Sequence, residues 1–247
     1  MNFMNRQYQD QAQSYNSDGV MAKNFISNVF SWMGIAMAIT AVTAYFFAND
    51  AALLGLLLNV NEFGQFAGPT MFGYIVMFAP FGLVLLMGMR FAKMSYGSLV
   101  AVFGIYSILM GMSLSFILLV YTAASVFQTF LTTSLMFGVM ALVGYTTKTD
   151  LTKFGSILFM ALIGLIIASV INMFMGSETM DYIISFVGVL IFTGLIAYDV
   201  QKLKRIGSGL MYQDQDANKL AVMGALSLYL DFINLFLFLL RFMGDRK

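Results

Sequence analysis

Runs of about 20 apolar residues, each closed by a short polar or basic stretch, recur along the chain. They cover Phe25 to Ala48, Thr70 to Met89, Gly97 to Tyr121, Ser125 to Tyr145, Phe154 to Met175, Tyr182 to Tyr198, and Leu220 to Leu240. A helix rising ~1.5 Å per residue needs about 20 residues to cross ~30 Å of hydrocarbon, so each run predicts a spanning helix. The stretch AALLGLLLNV after the first run is too short to cross and predicts an interfacial helix or a cap. Residues 1–24 are polar, with the composition of a flexible tail. The apolar run behind them is too long for a signal peptide and has no small-residue cleavage site, so the tail is expected to stay attached. No repeat or linker interrupts residues 25–247. The expected architecture is therefore an all-α membrane protein, a single domain built as a bundle of seven transmembrane helices.

Within these runs, finer spacing predicts packing. Gly97, Ala101, Gly104, Gly111 and Ser115 fall on roughly one side of the third helix, and Ala161, Gly164, Ala168 and Asn172 on one side of the fifth. Small-residue stripes of this kind let helices approach closely in lipid. Pro80, inside the second run, removes a backbone hydrogen bond and predicts a bend.

Basic residues set the expected orientation. Arg6 and Lys23 precede the first helix, and Arg90, Lys93, Lys148, Lys153, Lys202, Lys204, Arg205 and Lys219 fall in the second, fourth and sixth connections. The other connections carry no Lys or Arg. By the positive-inside rule the N-terminus and the basic connections are cytoplasmic. Arg241, Arg246 and Lys247 break the pattern. Either the last helix crosses against the rule, or it re-enters and returns.

Composition narrows the chemistry. Of the 247 residues 60% are hydrophobic and 10% charged, against about 25% charged for a soluble domain. A net charge of +1 supplies no field for nucleic acid, so no nucleic-acid partner is expected. With neither Cys nor His, there are no disulfides, no Ser-His or Cys-His nucleophiles and no usual zinc ligands. Carboxylates in altered surroundings are left as the groups able to titrate near neutral pH. No tightly bound cofactor is expected.

Steps of three and four through the last helix pick out Gly224, Ser227, Asp231, Asn234, Phe238 and Arg241 as one face, while the other faces are apolar. Such a stripe predicts a central helix with this face inward. Asp231 lies near the middle of the run, where an ionised carboxylate costs about 2.5–3.5 kcal/mol and needs a partner, a proton or a water path. Asp199, which ends the sixth run in FTGLIAYDVQKLKR, is the partner nearest in type. Two carboxylates at close range do not both ionise easily, so the pair would titrate as a unit. Depth tests the pairing: Asp231 lies ~18 Å beyond Lys219 and Asp199 ~9 Å from Arg205, a mismatch that closes only if the last helix begins upstream of Lys219. Otherwise Asp199 solvates at the interface and Asp231 stays neutral on a carbonyl. Ser227, Asn234 and Gln201 are the supporting polar side chains. Arg90, ending the second helix, either clamps a carboxylate or snorkels as an interface anchor.

The segments AYDVQKLK, LSLYLDFINLFLFLLR and TAASVFQTFLTTSLMFGVMALVGYTTKTDLTKFG resemble the Bax inhibitor-1 family of transmembrane Bax inhibitor motif proteins, in its bacterial branch, and the resemblance runs from about Phe25 to Arg241. It implies a seven-helix bundle with the last helix central, in the bacterial cytoplasmic (inner) membrane, acting as a pH-sensitive calcium leak. It further implies that Asp199 and Asp231 form the proton-sensing pair and contact calcium, with Arg90 as the second-helix arginine that latches it. There is one departure: members with an acidic residue in the second helix have a further calcium contact, and MFGYIVMFAPFGLVLLMGM carries none.

The first functional expectation is thus a proton-gated leak, with calcium as permeant ion contacting Asp199, Asp231 and Asn234. A second is a modulator of a membrane-bound quality-control protease, acting through the N-terminal tail or the loop from Gln201 to Lys219. A third, an intramembrane aspartyl protease, fits the two aspartates but not the motifs: SLYLD stands where GxGD would, and no Pro follows Pro80. No enzyme activity is expected. A retinal protein is excluded because the last run contains no lysine.

Overall fold

The computed structural model describes the backbone of residues 2–60, 66–209 and 215–247, and the side chains of residues 19–59, 67–209 and 216–247. Among the described residues, seven helices are long and apolar enough to cross a bilayer. They are α1 (Asn2–Asn49), α3 (Met71–Arg90), α4 (Tyr96–Val120), α5 (Ala123–Thr146), α6 (Thr152–Met175), α7 (Glu178–Ser208) and α8 (Gln215–Met243). The short α2 (Ala51–Leu57) and the strands β1 (Leu58–Val60) and β2 (Phe66–Pro69) fill the first connection. The expected cap is therefore one two-turn helix followed by a hairpin.

All seven predicted helices are present, and several run past their apolar limits. α1 is helical from Asn2, where composition predicts a flexible tail. α7 continues ten residues beyond Tyr198 to Ser208, because Gln, Lys, Leu and Arg are good helix formers whether or not they suit lipid. α8 is one unbroken helix of 29 residues, which leaves no turn for a re-entrant path. α3 likewise runs through Pro80 without a break.

The chain groups into two compact units: residues 1–32 with 133–238, and residues 33–132 with 239–247. α1, α5 and α8 each contribute to both.

In the second unit, Asp50 caps α2 by accepting from the N–H groups of Ala52 and Leu53, at 2.8 and 3.1 Å. Thr70 does the same for α3 through Gly73 N–H, and its hydroxyl donates to the Leu56 carbonyl. β1 and β2 pair antiparallel, Asn59 against Gly68, whose φ of 116° suits glycine. Phe47, Leu57, Leu58 and Val76 form a buried cluster there. The C-terminal residues are tied to the start of α5: Thr122 N–H donates to the Asp245 carbonyl, Lys247 N–H to the Val120 carbonyl and Lys247 Nζ to the Leu118 carbonyl. The Arg246 guanidinium lies 5.9 Å from the centre of the Tyr121 ring. These contacts give Arg246 and Lys247, two of the three cations that break the basic-loop pattern, local partners.

In the first unit, α6 ends at Gly176 in the left-handed region, and Ser177 caps α7 through Met180 N–H. α8 is the most buried span, with 67% of its most apolar window inside the fold, followed by α7 with 50%. This is the central placement that the polar stripe predicts. α6 keeps only 11% of its window inside, and Phe159, Met160, Ile163 and Ile166 face outward, as lipid contact requires. Because lipid is as apolar as these side chains, the helices associate through close packing rather than exclusion of water.

Candidate functional site

The site is built where α7 and α8 meet in the first unit. α8 begins at Gln215, upstream of Lys219, so the condition that sequence depth sets for the two aspartates is met. Ser227 and Asp231 are four residues apart and therefore on one face of α8. Ser227 Oγ donates to Asp199 Oδ2 at 2.5 Å, and the Asp199 and Asp231 carboxyls lie within hydrogen-bonding reach of each other. Asp231 is 6% exposed, and its Oδ2 has no hydrogen-bond partner among the described residues. Asp199 is half-buried, and the charge of Lys202, three residues along α7, acts on it.

Around the pair, apolar packing holds both helices. Ile196 and Val200 of α7 and Leu228, Tyr229 and Leu235 of α8 are at most 1% exposed. Phe238 stacks on Phe192 with ring centres 5.8 Å apart and fills the space that a side chain at Gly188 would need. The pair thus sits in surroundings that tolerate a neutral, shared proton far better than two charges.

The other predicted residues are placed differently. Asn234 donates to the Leu230 carbonyl of its own helix, which satisfies its amide locally. Arg90 is exposed at the end of α3, before the 3-10 turn Phe91–Lys93, and belongs to the second unit. It forms no ion pair among the described residues. Of the loop predicted from Gln201 to Lys219, residues 210–214 lie outside the described residues and the remainder belongs to α7 and α8, apart from Gly209.

Gln201, predicted to support the aspartates, instead clamps the connection between α5 and α6. Its Oε1 accepts from Leu151 N–H at 2.9 Å and from Arg205 at 2.7 Å, and its Nε2 donates to the Thr149 carbonyl at 2.8 Å. Arg205 continues the clamp to Asp150 at 2.6 Å and to Thr152 at 2.9 Å. Sequence reading missed this node. Its signals were Asp150-Leu-Thr152 at a helix start, where Asp150 accepts from Thr152 N–H and Oγ–H, and Gln201 one turn before Arg205.

Hydrogen bonds from Thr152 and then Arg205 hold the Asp150 carboxyl well below the usual carboxylate range. A depressed folded value makes its contribution full at any pH above the ordinary carboxylate range, and lost only on acidification below it. The clamp is therefore ionic throughout neutral and mildly acidic conditions. Gln201→Leu leaves the Leu151 N–H and the Thr149 carbonyl unpaired. At about 0.5–1.5 kcal/mol for each hydrogen bond lost at a half-buried site, a loss of about 1–2 kcal/mol is expected, read as a lower thermal midpoint with faster amide exchange over residues 147–152.

Among the described residues, seven long apolar helices and a buried carboxyl on one of them define the class: a polytopic α-helical membrane protein with titratable groups inside its helices. The family described as "Inhibitor of apoptosis-promoting Bax1" matches residues 22–247, and the chain belongs to this Bax inhibitor-1 family. It is 43% identical over 226 residues to the inner membrane protein YbhL of Escherichia coli (strain K12), covering 91% of this chain and 93% of that protein. It is similar as well to a Borreliella burgdorferi protein, 42% identical over 229 residues, covering 92% and 95% of the two chains. Against the Rickettsia prowazekii protein RP147 it is 40% identical over 229 residues, covering 91% of each.

Proposed function

We propose that the protein is a pH-sensitive calcium leak channel of the bacterial inner membrane, gated by protonation of Asp199 and Asp231. The observation that carries this reading is the Asp231 carboxyl, 6% exposed, set against Asp199 between the two most buried spans. While the pair holds a proton, the carboxyls hydrogen-bond and keep α7 and α8 together at this level. Losing that proton leaves two negative charges in contact, which repel by about 4 kcal/mol at ~4 Å for an effective dielectric of ~20. The carboxyls separate, and their oxygens become free to meet a passing cation.

Calcium takes six to eight oxygen ligands. Two carboxylates assisted by Asn234 provide a transient contact rather than a resident site, which suits conduction. Among the described residues, no three acidic or histidine side chains gather into a metal site. The basic connections, the Asp150–Arg205 clamp among them, lie on the cytoplasmic side in this reading, as does the N-terminus. The relative named as an inner membrane protein supports the location.

Calcium entry into proteoliposomes carrying the full chain, followed with an internal calcium dye from about pH 5 to pH 8, tests the proposal. Flux above that of empty liposomes, rising with pH, is expected. Flux that is absent, or equal at every pH, contradicts it.

A further inference from the structure

A groove of about 540 Å³ runs between α1 and α5 in the first unit, lined by Lys23, Ile26, Phe30, Phe137, Ala141 and Tyr145 among others. The helices traverse it in opposite directions. Phe30 and Phe137 meet edge to face at its apolar end, with ring centres 6.3 Å apart. Lys23 and Tyr145 stand at the other end, ~10 Å away along α1 and ~12 Å along α5.

That end is cationic. Lys23 is exposed, and Lys204 Nζ lies 4.7 Å from the centre of the Tyr145 ring and donates to the Tyr145 carbonyl. An ammonium has three donors, so this bond leaves two for a ligand. Neither lysine pairs with a carboxylate among the described residues, and the acid of the neighbouring connection, Asp150, is taken by Arg205. An apolar trough with two cations at one mouth that no described carboxylate pairs, on helices immersed in a bilayer, matches one amphiphile: a negative headgroup with an acyl chain behind it. The length agrees, since ~10–12 Å lies within the ~15 Å of one hydrocarbon leaflet.

We infer that this groove binds an anionic glycerophospholipid, its phosphate between Lys23 and Lys204 and one acyl chain along Ile26, Phe30 and Phe137. The inference is independent of the leak reading. Gly138 supplies a test that spares the fold: it is exposed beside the groove, and a Cβ built on it meets nothing within 4 Å. Gly138→Leu therefore fills the trough while improving helix propensity.

Native mass spectrometry of the full chain in mild detergent, titrated with dioleoyl phosphatidylglycerol or dioleoyl phosphatidylcholine, reads binding directly. Phosphatidylglycerol is expected to bind about tenfold more tightly. Lys23→Gln with Lys204→Gln should erase that preference, Gly138→Leu should reduce binding of both lipids about fivefold or more, and Lys93→Gln, in the second unit, should change nothing. Melting temperatures identify any variant that misfolds, and the lysine and glycine variants report separately. Equal binding of the two lipids by the native chain, a preference that survives both glutamines, or a dimer in place of lipid adducts would overturn the inference.

Discussion

Gly144→Ala is expected to lower the thermal midpoint of the solubilised protein by about 5–10 °C, the result of an overpacking cost of about 2–3 kcal/mol. A methyl there points at the backbone of Ala197, with its Cα at 2.8 Å and its carbonyl carbon at 2.9 Å, and nearest of all its carbonyl oxygen. Backbone cannot rotate away as a side chain does, so α5 and α7 must separate. Ala197 stands two residues before Asp199, and the carboxyl that Ser227 holds moves with it. Gly104→Ala is the control: a methyl at Gly104 meets nothing within 4 Å, and the change should be neutral or slightly stabilising. Differential scanning fluorimetry of both variants beside the native chain checks the pair. Equal midpoints would mean that α5 and α7 do not approach this closely.

The second large effect concerns the carboxyls. Asp199→Asn and Asp231→Asn each remove one titrating group but leave an amide N–H that can donate to the remaining carboxyl, so the pair stays joined at every pH. Either variant should hold calcium flux near its low-pH level across the range where native flux rises. The double variant should add nothing, because residues that act as a unit are non-additive.

Much of this was legible in sequence because the bilayer imposes one length on every crossing. The seven helices follow from runs of about 20 apolar residues, and the pairing of Asp199 with Asp231 from a polar stripe on an otherwise apolar helix. Hydropathy marks where lipid ends, which is not where a helix ends. It therefore misses the helical start of α1 and the ten residues of α7 beyond Tyr198. Gln201 was misread for a related reason: its nearness to Asp199 in sequence says nothing of which way it points, and two residues along a helix turn it about 200° onto the α5–α6 connection. For Arg90, charge, position and the family resemblance point to a latch, while its exposed place at the end of α3 is one that an interface anchor also occupies. The division into two units leaves no trace in the pattern, because α1, α5 and α8 belong to both.

The central claim is that two acids on different helices share one proton and respond as one group. It is tested most directly by the pH profile of calcium flux in proteoliposomes bearing native chain, Asp199→Asn, Asp231→Asn and the double variant. The account requires a single rise with pH in the native chain and flat, superimposable profiles in the other three. A rise that persists in either single variant, or a double variant whose loss is the sum of the two, would contradict it.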